Sequence, residues 1–92
     1  MKNGDFGQAL SALKQGGRVA RKGWNGKGMW LLLVHPVHNA GPDQPHWDCP
    51  AVCEKYSHSL LPWIGMKTAD NKFVPWLASQ TDMLAADWEI VE

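Results

Sequence analysis

Apolar residues recur at Phe6, Ala9, Leu10 and Leu13, the spacing of one helical face, between Asp5 and the pair Gly16-Gly17. Asp5 and Gln8 have capping-box spacing and the glycines supply a stop, so a helix is predicted over roughly residues 6–15. Val19 and Ala20, set between Arg18 and Arg21, suit a brief strand. Gly23, Gly26 and Gly28 then punctuate a tight turn around Trp24 and Asn25. The strongly apolar run from Met29 to His35 predicts a strand buried on both faces or against a partner chain, and Pro36 ends it.

The pattern then lapses. Residues 36–62 hold Pro36, Pro42, Pro45, Pro50 and Pro62, three of the four histidines and both cysteines, which reads as a long loop that lids a site or contacts another subunit. Trp63 to Thr68 predicts a strand, Asp70-Asn71 a hairpin turn, and Phe73-Val74 an antiparallel return that Pro75 breaks. Ser79 and Asp82 again have capping-box spacing, which starts a short helix through Met83 and Leu84 toward Ala86. Trp88, Ile90 and Val91 form a last strand. The predicted fold class is α+β: a small antiparallel sheet with a short N-terminal helix, a short C-terminal helix and a long central loop. No internal repeat interrupts it, so residues 1–92 are expected to form a single domain.

Composition narrows the function classes. With 92 residues, 45% hydrophobic, 20% charged and a net charge of +0, the chain resembles an ordinary soluble globule with one modest core. The apolar run at 29–34 is far short of the roughly 20 residues that span a bilayer, so no membrane partner is expected. The first residues lack an apolar signal segment and two cysteines cannot staple a secreted mini-protein, which makes the cytoplasm the expected location.

The neutral total hides an asymmetry. Residues 1–42 carry six basic side chains against Asp5 alone, and the remainder carries three lysines against eight acids. Either the halves are neighbours that neutralise each other, or the basic half holds an anion. An isoelectric point near 6.9 argues against a DNA or RNA polymer, so any anionic partner is small. The turn Arg21-Lys22-Gly23-Trp24-Asn25-Gly26-Lys27-Gly28 departs from the phosphate-loop pattern, yet it combines cations, close-approach glycines and an indole. It fits either a phosphate and a base or a basic turn held by a packed Trp. Six of the nine aromatic residues are Trp (Trp24, Trp30, Trp47, Trp63, Trp76, Trp88), more than a small core easily houses, which favours indoles at a pocket wall or interface.

Catalytic chemistry finds less support. His46, Cys49, Cys53 and His58 could satisfy zinc tetrahedrally, but their spacing within one loop is unlike that of structural zinc sites, and no metal or cofactor is assigned. No nucleophile elbow is present, and Ser79 reads as a helix cap. Asp82 and Asp87, five apart, are not spaced to share a proton. A non-enzymatic protein is expected, with a metal-dependent nucleotide phosphodiesterase or a host-protein-binding inhibitor module as the alternatives.

Several segments carry a resemblance. Arg-Lys-Gly-Trp-Asn-Gly-Lys-Gly-Met at 21–29, Met-Lys-Thr-Ala-Asp-Asn at 66–71, and the long block from Val74 to Val91 resemble the Thoeris anti-defence two family, as does the opening helix from Phe6. Residues 6–34 and 63–91 are covered, and the central loop is not. The resemblance implies a phage or prophage protein that sequesters cyclic ADP-ribose-type immune signals, and in some members cyclic oligonucleotides, without cleaving them. It further implies a homo-oligomer, a tetramer, with pockets between subunits, and binding residues Arg21, Trp24, Asn25, Lys27, Trp76, Ser79, Gln80, Thr81 and Asp82. By chemistry, Trp24 or Trp76 would stack on adenine, Arg21 and Lys27 would face the pyrophosphate, and Asn25, Gln80 and Asp82 would fix ribose hydroxyls or base edges.

Overall fold

Asp5 begins the first helix by accepting a hydrogen bond from the Gln8 backbone N–H at 2.8 Å, while its own N–H donates to the Gln8 side chain at 2.9 Å. This closed box starts α1 (Phe6–Lys14). The helix ends in a Schellman arrangement, with Gly16 N–H on the Leu13 carbonyl and Gly17 N–H on the Ala12 carbonyl, both at 3.0 Å. Gly16 sits at φ +89°, a left-handed conformation that glycine adopts without a Cβ penalty. The computed structural model describes residues 3–25, 27–35 and 61–91.

Five strands follow α1 in an antiparallel sheet: β1 (Arg18–Arg21), β2 (Trp30–Val34), β3 (Trp63–Lys67), β4 (Phe73–Pro75) and β5 (Trp88–Val91). Their order across the sheet is β4-β3-β2-β1-β5. Two short helices interrupt the strands, α2 (Lys22–Asn25) and α3 (Gln80–Leu84). The α+β class, the antiparallel sheet and both terminal helices are as the apolar pattern predicts. Contacts divide the chain into two units, residues 1–33 with 64–92 and residues 34–63. The first carries the helices, most of the sheet and the core below. Of the second, only the ends are described, and the loop over 36–60 with His46, Trp47, Cys49, Cys53 and His58 lies outside the described residues.

β2 lies at the centre of the sheet, where both of its edges are paired, and Leu31 and Val34 are its buried residues while Trp30, Leu32 and Leu33 are half-buried. Register puts Val19 opposite both Leu31 and Ile90, and Arg21 opposite Trp88, so these residues share one face of the sheet. Ala9 and Leu13 of α1 pack there against Val19, Leu31 and Trp88, which are all at or below 1% exposure. Gly4 exchanges two backbone bonds with Trp88, at 2.8 and 3.0 Å, and so covers part of the free edge of β5.

Two local readings need correction. Where a tight turn is expected around Trp24 and Asn25, the segment after Arg21 forms the helical turn α2, beyond which the Trp24 carbonyl accepts from Lys27 at 2.9 Å and Met29 at 3.3 Å while the Trp24 ring turns onto Trp88. Pro75 does not break the ladder. It pairs with Gly65, and Trp76 N–H continues the pairing by donating to Ile64 at 2.9 Å. Strand alternation then aims the position of the missing proline N–H away from β3, which an edge strand tolerates.

Candidate functional site

The C-terminal end of β1 delivers Arg21 beside the turn that carries α2, and the register opposite Trp88 brings Asp87 alongside. Arg21 Nε donates to Asp87 Oδ1 at 2.9 Å and Nη1 donates to Asp82 Oδ1 at 3.0 Å. One guanidinium therefore joins β1 to both ends of the segment that runs from α3 into β5. These pairs neutralise one of the six cations of the basic half with two acids of the other. They also explain why Asp82 and Asp87, unremarkable at a spacing of five, are neighbours: a cation stands between them instead of a shared proton.

Ser79 is the N-cap of α3. Its Oγ accepts from Asp82 N–H at 3.1 Å and donates to Asp82 Oδ2 at 2.9 Å. The Asp82 carboxylate thus serves the helix start through one oxygen and Arg21 through the other. Burial pushes this carboxyl up, but the Ser79 hydrogen bonds and the Arg21 guanidinium outweigh it and hold it below the ordinary 3.8. Arg21 is raised, first by its bond to Asp87 and then by its bond to Asp82.

The pH dependence has a definite sign. A depressed carboxylate pKa stabilises the fold above its unfolded value, and that contribution is lost as pH falls through the lower folded value. Acidification below the ordinary 3.8 is therefore expected to remove the Asp82 contribution and with it the Arg21–Asp82 ion pair, whereas Arg21, held above its ordinary value, stays charged throughout. Chemical denaturation across pH 2 to 7 checks this. Asp82→Asn should flatten the acid loss, and an Asp82→Asn profile parallel to the parent would remove Asp82 as its source.

An aromatic cluster adjoins the charged group. Trp24 and Trp76 meet edge to face, with centroids 6.1 Å apart at 76°, and both meet Trp88 edge to face, at 5.4 and 6.1 Å. Phe6 of α1 closes the group against Trp76 and Trp88. The fully buried Trp88 satisfies its indole N–H on the Asp82 carbonyl at 3.0 Å, which links the rings to α3. Trp24 and Trp76 remain half-buried at the edge of the core.

Of the nine residues assigned to binding, Arg21, Trp24, Trp76, Ser79 and Asp82 are thereby brought together through direct contacts and Trp88. Gln80 and Thr81 lie exposed on the first turn of α3, and Lys27 lies exposed on the turn after α2. Asn25 ends α2. That turn is fastened from β3, where Lys67 Nζ donates to the Gly28 carbonyl at 2.8 Å. Gly28 adopts φ +71°, and a Cβ there would stand 3.4 Å from the Lys67 ammonium. Trp30 lies apart from the cluster, with the Arg18 guanidinium over its ring at 5.1 Å. Sequence reasoning missed Asp87 and Trp88. Their place is decided by the pairing of residues 18–21 with 88–91, which no local pattern announces.

Among the described residues no group of His, Cys, Asp and Glu has the arrangement of a metal site, and no helix is long and apolar enough to cross a membrane. Comparison with known proteins gives concordant similarities. The model of the Thoeris anti-defense 2-like domain matches residues 4–91. A protein of Bacillus phage SP01 named Thoeris anti-defense 2 is 44% identical over 95 residues, covering 94% of this chain and 92% of the phage protein.

Proposed function

Because the chain belongs to the Thoeris anti-defense 2-like family, a family of anti-defence proteins, we propose that it binds and sequesters a small cyclic nucleotide immune signal of the cyclic ADP-ribose type and releases it uncleaved. The observation that carries this reading is the junction of two indoles with an oriented guanidinium: Trp24 and Trp76 in mutual contact, joined through Trp88 to the Arg21–Asp82–Ser79 group. A purine stacks on either half-buried indole, while Arg21 and Lys27 serve the pyrophosphate, one as a fork of directed donors and the other as a flexible point charge. Asn25, Gln80, Thr81 and Asp82 supply amide, hydroxyl and carboxylate groups suited to ribose hydroxyls, and Ser79 holds Asp82 in place.

Sequestration acts by mass action, so the protein must bind below the signal's working concentration. A dissociation constant in the tens of nanomolar corresponds to about −10 kcal/mol. Enclosure between protomers would increase the contact available for it. A homo-oligomer, with a tetramer as the specific form, accords with the exposed Leu77 and Leu84, at 92% and 82%, which a lone chain leaves in water. Action in the cytoplasm of an infected bacterium, where such signals are made, completes the proposal.

One experiment tests the function and the assembly together. Native mass spectrometry of the purified chain with cyclic ADP-ribose should show a multimer that retains ligand, and heat denaturation should return ligand of unchanged mass. A hydrolysed product would replace this function by the phosphodiesterase alternative. A monomer that retains ligand would remove the oligomer alone.

A further inference from the structure

Resting on the function just proposed, we infer that Asp87 is a positioning residue, which aims the Arg21 guanidinium at the bound nucleotide's pyrophosphate without itself touching the nucleotide. A free arginine side chain samples many rotamers and loses that freedom on binding. Here the loss is already met in the unliganded fold. Asp87 holds Nε at 2.9 Å and Asp82 holds Nη1 at 3.0 Å, so two anchors at different nitrogens define the guanidinium plane. They occupy two of its five N–H donors, and the others remain for a ligand oxygen.

The anchor is itself fixed to the residue that follows Arg21, because the Asp87 carbonyl accepts the Lys22 N–H at 3.0 Å. Backbone pairing therefore brings the carboxylate within reach of the guanidinium. The two acids differ in what else they do. Asp82 also caps α3 through Ser79, whereas the Asp87 side chain bonds only Arg21 among the described residues. Replacement of Asp87 thus isolates the orientation of Arg21.

Charge gives the inference a sign that separates it from simple attraction. Arg21 with two carboxylates carries a local excess of one negative charge, which Lys22 and Lys27 of the same turn reverse. Removing the Asp87 charge makes the region more positive, so Coulomb attraction by itself predicts tighter binding of a pyrophosphate. Orientation predicts weaker binding, because a half-released guanidinium must be ordered again by the ligand.

The test is calorimetry of the full chain and of Asp87→Asn with two probes: cyclic ADP-ribose, and adenosine, which has the base and ribose but no phosphate. Loss of one charge-assisted anchor is expected to weaken cyclic ADP-ribose about tenfold and to leave adenosine within about twofold. A merely structural role would weaken both probes in parallel, and that result overturns the inference. So does unchanged or tighter binding of cyclic ADP-ribose by Asp87→Asn. Should Asp87→Asn fail to fold, Asp87→Glu keeps the charge and moves it by one methylene. A few-fold loss confined to cyclic ADP-ribose is then expected, and an equal loss on adenosine again overturns it. A parent chain that binds no cyclic ADP-ribose would instead overturn the proposed function, and this inference with it.

Discussion

Trp88→Ala is expected to lower the thermal midpoint of the protein by more than about 12 °C. Truncating a buried Trp costs roughly 3–5 kcal/mol, and a domain of this size loses about 4–8 °C per kcal/mol. Trp88 is fully buried between α1 and the sheet and touches Phe6, Trp24 and Trp76. Its removal opens a cavity that three separate segments line, which limits how far the site can collapse. It also deprives the Asp82 carbonyl of the indole donor at 3.0 Å. Trp88→Phe keeps most of the ring volume and loses that donor, so its smaller cost reports the hydrogen bond together with the missing second ring. Melting curves followed by circular dichroism check both variants. A midpoint within about 4 °C of the parent for Trp88→Ala would mean that the core is not organised around this indole.

Trp24→Ala and Trp76→Ala are each expected to weaken cyclic ADP-ribose binding by roughly 5- to 150-fold, the range that follows from about 1–3 kcal/mol per stacked base. Trp47→Ala, which lies outside the segments that carry the family resemblance, should change it little. The two indoles touch edge to face with centroids 6.1 Å apart, so their effects should not add: once one ring is gone, the other has lost the wall that orients it. Both rings also pack against the core, and some stability will be lost with either. Affinity should accordingly be measured by calorimetry at a temperature where each variant remains folded. Equal losses for Trp24→Ala, Trp76→Ala and Trp47→Ala would contradict the placement of the ligand at this junction.

Much of the local architecture was legible because its causes are short-range. The capping pairs Asp5/Gln8 and Ser79/Asp82 and the Gly16-Gly17 stop act within one helical turn, and each forms as its spacing predicts. The apolar run of β2 announced a strand, which takes the central place in the sheet. Asp70-Asn71 marked the β3–β4 hairpin, where Asn71 takes the left-handed φ of +64° that asparagine tolerates. Where local signals competed with distant ones, the pattern misled: the glycines after Arg21 concealed a helical turn that Trp24 packing stabilises, and Pro75 obscured a ladder that an edge strand carries past it.

The family resemblance singled out Arg21, Trp24, Trp76, Ser79 and Asp82 among its nine candidates, whereas residue chemistry by itself read Ser79 as a helix cap and left the turn after Arg21 open between an anion site and a packed basic turn. Their meeting was decided by pairing between residues nearly seventy positions apart. Only the β1–β5 register places Arg21 opposite Trp88, puts Asp87 on the guanidinium and sets one buried indole against two half-buried ones. Contacts of that range carry no signature in a local pattern, because they depend on which strands become neighbours when the core closes.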